Sequence, residues 1–466
     1  ACGLAKGRDL NGGRENVIAV IGDGSLSGGE ALEGLDFAAE LESNLIIVVN
    51  DNDMSIAENH GGLYSNLKLL RETKGEAECN LFRAMGLDYV YVDEGNNIDV
   101  LINAFQSVKD STKPVVVHIK TQKGKGYAPA EKDKESWHYN GPFHIETGEP
   151  LEVPQGEDYS DITAKFLLEK MKKDPSVVAI TSATPTVLGF TKDKREEAGK
   201  QFVDVGIAEE HAVTFAAGMA AGGLKPVVAI YSTFLQRAYD QIIHDVCIGT
   251  LPVIFAVDRA GLVGSDGETH QGIFDISYLC SMPNMTVMAP KNGWELRQML
   301  RFAVELNAPV AVRYSRGEAW DGLQDHKQEI ALGQAEWICR GQEVAILAVG
   351  SMVETAMWVR EHLKAEDQKI TVVNMRFVKP LDEQVLREIK ERHSKVVTLE
   401  EGVYNGGFGE AVSAWYEGTP MRVLNITLPD QFIEHGSVTE LKKKYGLDPE
   451  SITKKILSWE DEDRKA

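Results

Sequence analysis

A chain of 466 residues carries 71 acidic against 49 basic side chains, a net charge of −22, and its 43% apolar and 26% charged residues are the balance of a globular protein with sizeable cores. The mean field repels phosphate, which excludes a general binder of nucleic acid or anionic membrane and leaves any anionic ligand to a local basic cluster. No apolar stretch approaches the length of a bilayer span, and at about 150 residues per domain the length predicts three domains.

The opening ACGLAKGRDL lacks the charged-then-apolar pattern of a secretory signal. Cys2, Cys79, Cys247, Cys280 and Cys339 are scattered and never spaced CxxC, so they predict free thiols in a reducing cytoplasm. Along the chain, β-branched runs follow at 17–21, 45–49, 89–92, 115–119, 177–180, 227–230, 253–257, 310–312, 344–349, 370–373 and 396–399, with FVDVGI also strand-like. Most lack period-2 alternation, which predicts strands covered on both faces, as in parallel sheets. Helical patterns lie between many of them, for example Ile162, Phe166, Leu167 and Met171 in DITAKFLLEKMKK. The expected class is therefore α/β, with three doubly wound domains and mainly parallel sheets. Polar stretches at 148–160 and 317–333 predict linkers, placing the domains at 1–150, 151–318 and 319–466. The tail WEDEDRKA is expected to fray.

Open parallel sheets bind ligands beyond the carboxyl ends of their strands. Here those positions read Gly22-Asp23-Gly24, Asn50-Asp51-Asn52, Tyr231-Ser232, Asp258-Arg259 and Arg313-Tyr314-Ser315-Arg316. GDGSLSGG gives a Gly/Ser-rich turn into a helix, whose amides favour phosphate. Asp23, with Asn52 arriving one crossover later, offers the oxygen ligands that Mg²⁺ prefers. Neither GxxxxGK[ST] nor GxGxxG is present, which weighs against nucleoside triphosphates and NAD.

GDGSLSGGEALEGLDFAAE followed by NDNDMSIAEN resembles the diphosphate-binding motif of thiamine-diphosphate enzymes. VGIAEEHAVTFAAGMAAGGLKPVVAIYSTFLQRAYDQIIHDV, PVIFAVDRAGLVGSDGETHQGIFDISYL, KTQKGKGYAPAEKDKESWH, AVRYSRG, NMRFVKPLD and LPDQFIEHG extend the likeness over nearly the whole chain. It is similar to the transketolase-like 1-deoxy-D-xylulose-5-phosphate synthase family. The resemblance implies a diphosphate/Mg²⁺ domain at 1–150, a pyrimidine-binding domain at 151–318 and a transketolase C-terminal-like domain at 319–466. It further implies a cytoplasmic homodimer that condenses pyruvate with D-glyceraldehyde 3-phosphate, releasing CO₂, for isoprenoid, thiamine and pyridoxal synthesis.

Residue by residue, the resemblance implies thiamine diphosphate contacts from Gly24, Ser25, Asn52, Tyr127, Glu209 and Phe234, and a Mg²⁺ shell of Asp23, Asn52 and the Met54 carbonyl. Glu209, after a strand and at the start of an apolar helix, would pair with the pyrimidine nitrogen, whereas Glu210 reads as an ordinary helix-start acid. Tyr231, Arg237, Arg259 and Arg316 are expected on the substrate phosphate, since arginine forks match it. His270 and Asp266, on the glycine-rich loop GSDGETHQG, are expected to serve proton transfer. His138 and Lys123 would complete the polar lining, with His211 orienting the catalytic loop. The other histidines, His118 among them, read as ordinary core or surface residues.

Two other readings stay open: a transketolase-like enzyme with a ketose phosphate donor, and an inactive truncated form or partner-binding subunit. The second arises because ACGLAKGRDLNGGREN resembles a stretch well inside the family's first domain, so the family's N-terminal segment is expected to be lacking. With it would go a histidine and Gly-His-Ser contacts to the cofactor. The stretch between Asn59 and Phe82 is also shorter than the family's gating segment, and TSATPTVLGF departs from the family's wording.

Overall fold

The computed structural model describes residues 1–151, 156–364 and 370–465. In chain order the strands are β1 (Ile18–Gly22), β2 (Ile46–Asp51), β3 (Asp88–Val92), β4 (Val115–Lys120), β5 (Val177–Thr181), β6 (Phe202–Asp204), β7 (Lys225–Tyr231) and β8 (Ile254–Asp258). There follow β9 (Thr286–Met288), β10 (Val310–Arg313), β11 (Glu336–Cys339), β12 (Val344–Ala348), β13 (Ile370–Asn374), β14 (Phe377–Lys379), β15 (Lys395–Val403) and β16 (Arg422–Leu428). They build three sheets, ordered β1-β2-β4-β3, β14-β9-β10-β8-β7-β5-β6 and β11-β13-β12-β15-β16. Pairing is mainly parallel, with antiparallel β11 and β14 at two edges, so the expected α/β class holds.

Every β-branched run named above becomes a strand. Four strands were not expected. β9 and β14 span three residues each, and β11 is a short edge strand. β16 mixes polar residues into RVLNITL, as an edge strand with partial solvent contact can.

The described chain divides into two units. The first holds the residues up to 151 with Thr181–Pro185 and Asp204–Glu209, and the second holds the remainder. In the first unit, β2 is buried on both faces: Ile47 and Val49 pack with Leu26, Leu67 and Phe82, while Ile46 and Val48 pack with Val92, Val117 and Ile119. That two-sided burial is why its sequence shows no alternation. β1 lies at the edge of this sheet, with Val20 73% exposed.

The second unit contains both larger sheets. β14, from the stretch expected to form a third domain, pairs antiparallel with β9 of the seven-stranded sheet. Of the first expected linker, residues 152–155 lie outside the described residues. Its remainder meets the second linker: Tyr159 N donates to Gly317 O at 3.2 Å and Ala319 N to Glu157 O at 3.1 Å. The tail also differs from expectation over its described residues, since the helix Pro449–Lys465 continues to Lys465. Ile452 and Ile456 are fully buried, and the Arg422 guanidinium lies 4.8 Å from the Trp459 ring. Apolar anchoring of one helix face offsets the fraying expected from composition. No disulfide joins any of the five cysteines, all of which are described residues.

Candidate active site

In the first unit, the ends of β1 and β2 meet because the strands are parallel neighbours in register, Gly22 opposite Asn50. Asp23 N donates to Asn50 O at 3.1 Å, and a single 3-10 turn, Gly24–Ser27, follows before the helix Gly29–Ala38. Gly24 is required there, since a Cβ would lie 2.9 Å from Ser55 Oγ and 3.1 Å from Ser55 Cα. Tyr64 secures the turn by donating its hydroxyl to Gly24 O at 3.0 Å. Ser25 stands exposed on it.

Asp23 is buried, and Asn59 Nδ2 donates to its Oδ2 at 2.7 Å. Burial and then the nearby Asp51 charge push its carboxyl up to about 6. The buried Oδ1 atoms of Asn52 and Asn59 have no hydrogen-bond partner among the described residues. One desolvated carboxylate beside orphaned amide oxygens is a donor set suited to a hard cation. Among the described residues no group of three or more His, Cys, Asp or Glu is arranged to hold a metal ion, so such a cation would draw on amide and carbonyl oxygens too. Asn59 was missed in the sequence because a lone asparagine in a loop carries no spacing signal.

The raised Asp23 carboxyl has a signed consequence. In the folded state it binds its proton up to about 6, above the ordinary 3.8, so its contribution to stability is favourable in acid and declines as pH rises through about 6. Asp23→Asn should therefore raise the melting temperature of the ligand-free protein at pH 8 but not at pH 5. Scanning fluorimetry at the two pH values checks it.

Lys123 Nζ donates to Ser55 O at 2.6 Å and contacts His138 Nδ1 at 2.9 Å. Desolvation holds both groups below their ordinary values, with the Lys123 charge adding to the effect on His138. Tyr127 stacks edge-on with Trp137 at 4.9 Å and gives its hydroxyl to Ile145 O at 3.0 Å. Its ring and hydroxyl thus organise the 127–145 loop. Glu209 is 3% exposed and opens the helix Glu209–Ala221.

In the second unit, neighbouring β7, β8 and β10 bring their carboxyl ends side by side. Tyr231 ends β7, and its ring stacks on Phe234 at 5.0 Å, while Phe234 meets His270 edge-on at 5.4 Å. The Arg259 guanidinium lies 4.0 Å from the Tyr231 ring centroid. Arg259 is buried with φ +57, a strained backbone for a non-glycine residue, and its buried Nε has no hydrogen-bond partner among the described residues. Arg316 pairs with Asp266 at 2.9 Å. Arg237 lies exposed on the turn after Phe234. His211 is exposed and stacks on Phe215 at 5.8 Å, one turn on in its helix. The structure thus gathers Tyr231, Phe234, Arg259 and His270, and separately joins Arg316 to Asp266.

Comparison with known proteins bears on the whole chain. Family profiles match residues 1–80 and 71–121 (1-deoxy-D-xylulose-5-phosphate synthase), 156–320 (transketolase, pyrimidine binding domain) and 333–452 (transketolase, C-terminal domain). The 1-deoxy-D-xylulose-5-phosphate synthase of Lachnoclostridium phytofermentans is 48% identical over 98% of this chain and 79% of its own length. That of Natranaerobius thermophilus is 44% identical over the same shares, 98% and 79%. Among solved structures, a split-gene transketolase described as an inactive beta4 tetramer shares 27% identity at a TM-score of 0.58, covering 65% of this chain and 98% of its own. The Campylobacter jejuni transketolase, 18% identical with a TM-score of 0.57 over 97% of this chain and 79% of its own, shares the fold.

Proposed function

The chain belongs to the 1-deoxy-D-xylulose-5-phosphate synthase family, and from that membership we propose that it condenses pyruvate with D-glyceraldehyde 3-phosphate to 1-deoxy-D-xylulose 5-phosphate and CO₂. It is a thiamine-diphosphate-dependent transferase, and the cofactor, when bound with a divalent cation, supplies the electron sink for decarboxylation and carbon–carbon bond formation. The observation that carries the reading is the likeness to synthases of this family over 98% of the chain, and the desolvated Asp23 carboxylate beside the Asn52 and Asn59 oxygens, which have no partner among the described residues, supports its cation and diphosphate part.

The residue roles are those that the family resemblance implies, and the chemistry of the side chains supports them. Asp23, Asn52 and the Met54 carbonyl would hold Mg²⁺, with Gly24 and Ser25 presenting backbone to the diphosphate. Glu209 would hold the pyrimidine nitrogen, Phe234 would face the pyrimidine ring, and Tyr127 would hold the loop beside the cofactor. Lys123 and His138, both poised with weakened basicity, suit the pyruvate side and the exchange of a proton. The unpartnered Arg259 Nε, with Tyr231, Arg237 and Arg316, suits the phosphate of the aldehyde. His270 would donate to the oxygen that becomes an alkoxide, and Asp266 would hold Arg316.

In this reading residues 1–150 serve diphosphate and cation, 151–318 the pyrimidine, and 319–466 form the C-terminal domain. The protein would work as a homodimer in the cytoplasm, a reducing compartment that suits cysteines not joined by disulfides. Among the described residues no helix is long and apolar enough to cross a membrane. The test is an assay with pyruvate and D-glyceraldehyde 3-phosphate, Mg²⁺ and thiamine diphosphate, with no ketose donor present. Stoichiometric CO₂ and 1-deoxy-D-xylulose 5-phosphate are expected. Turnover only with a ketose phosphate, or none with either donor, overturns the reading.

A further inference from the structure

Asp51 stands immediately before Asn52, and strand alternation turns its side chain to the face opposite that of Asn50. There it is completely buried and heavily bonded. Arg71 Nη1 donates to both its oxygens at 2.7 Å, and Asp53 N donates to Oδ1 at 3.1 Å. His118 Nε2 lies 2.8 Å from Oδ2. A carboxylate only accepts, so Nε2 carries the hydrogen, and in the neutral ring Nδ1 then accepts from the Tyr89 hydroxyl at 2.7 Å. The His118 ring is fully buried in a cage of Tyr91, Tyr89 and Phe82, with centroids 5.3, 5.9 and 6.2 Å away. Arg71 also pairs with Asp53, a non-glycine residue held at φ +63.

We propose that Tyr89, His118, Asp51 and Arg71 form a positioning relay that sets the turn 51–54, and so aims Asn52 Oδ1 and the Met54 carbonyl at the bound cation. This rests on the metal-site reading above. Packing alone would be served by an apolar residue at 118. A relay of donors ending on a carboxylate makes sense where the next residue must hold one direction without a protein partner, as Asn52 Oδ1 does. Ligand oxygens bind a cation well only when an outer layer fixes their orientation, and losing that layer typically costs about 10- to 100-fold in metal affinity.

The experiment is calorimetric titration of thiamine diphosphate into the full chain at graded Mg²⁺, for His118→Phe, Tyr89→Phe and Asn52→Ala. His118→Phe should raise the Mg²⁺ half-saturation about 10- to 100-fold, and Tyr89→Phe should raise it less, with kcat recovered at saturating Mg²⁺. Tyr89→Phe, which removes only a hydroxyl, keeps the test open if the other variant folds poorly. An unchanged half-saturation in Tyr89→Phe and His118→Phe, with binding lost in Asn52→Ala, overturns the relay alone. Lowered melting temperature with unchanged half-saturation is a purely structural role and overturns it too. Parent-like binding in Asn52→Ala overturns the metal-site reading itself.

Discussion

Glu209→Gln should reduce turnover by about 10²- to 10⁴-fold while leaving thiamine diphosphate binding nearly intact. The substitution keeps shape and removes only the group that can share a proton with a ring nitrogen. Glu209 is 3% exposed, so water cannot substitute for the lost carboxylate. The segment leading to it is tightly specified. Val205 N donates to Thr181 O at 3.1 Å, and the amides of Ala183 and Gly206 both donate to Asp204 Oδ1 at 2.9 Å. Ser27 Oγ donates to Ile207 O at 3.1 Å. A side chain carried on so constrained a turn keeps its direction when only its charge is changed. Glu210→Gln, one residue on and less buried, should retain most activity. Product formation and calorimetric cofactor binding read the two effects apart, and parent-like turnover in Glu209→Gln would sink the role.

The strands were legible wherever both faces are covered, because then burial writes itself as an uninterrupted β-branched run, as in β2 and β12. It fails at edges. β9 and β14 are too short to carry a period, and their pairing depends on a partner far along the chain. The same distinction governs the site. Asp23 and Asn52 stood out since each directly follows a recognisable strand. Asn59 and His118 did not, because their importance lies in what they touch: a lone buried histidine looks the same in sequence whether it fills a core or braces a carboxylate. Tyr127 was singled out for the cofactor, and its contacts with Trp137, Phe143 and the Ile145 carbonyl carried no signal in the sequence. Arg316 likewise already has the Asp266 partner that its spacing could not announce.

The other large effect expected lies in the core of the second unit. Arg376 is completely buried, with Nε 2.7 Å from Glu295 Oε1 and Nη2 3.1 Å from Glu336 Oε1. Lys291 Nζ completes the square, 3.1 Å from Glu295 and 2.7 Å from Glu336. Asn374 Nδ2 donates to both Glu295 oxygens at 3.0 Å, and Arg376 Nη2 donates to Gln328 O at 3.0 Å. Burial alone would push the Glu295 carboxyl up, but the Lys291 and Arg376 charges hold it below its ordinary value. Two cations and two carboxylates therefore balance out of reach of water. They join the start of β11, the end of β13, the approach to β14 and the helix Gly293–Glu305. Arg376→Met removes one cation and leaves a net buried negative charge, which should cost about 3–5 kcal/mol. The same change combined with Glu336→Gln restores neutrality, so the double variant should melt above the single one, although each substitution alone destabilises. Melting curves of the parent, both single variants and the double decide it. A parent-like melting temperature for Arg376→Met would mean that water reaches the cluster, and a double variant no better than the sum of the singles would mean that its charges act independently.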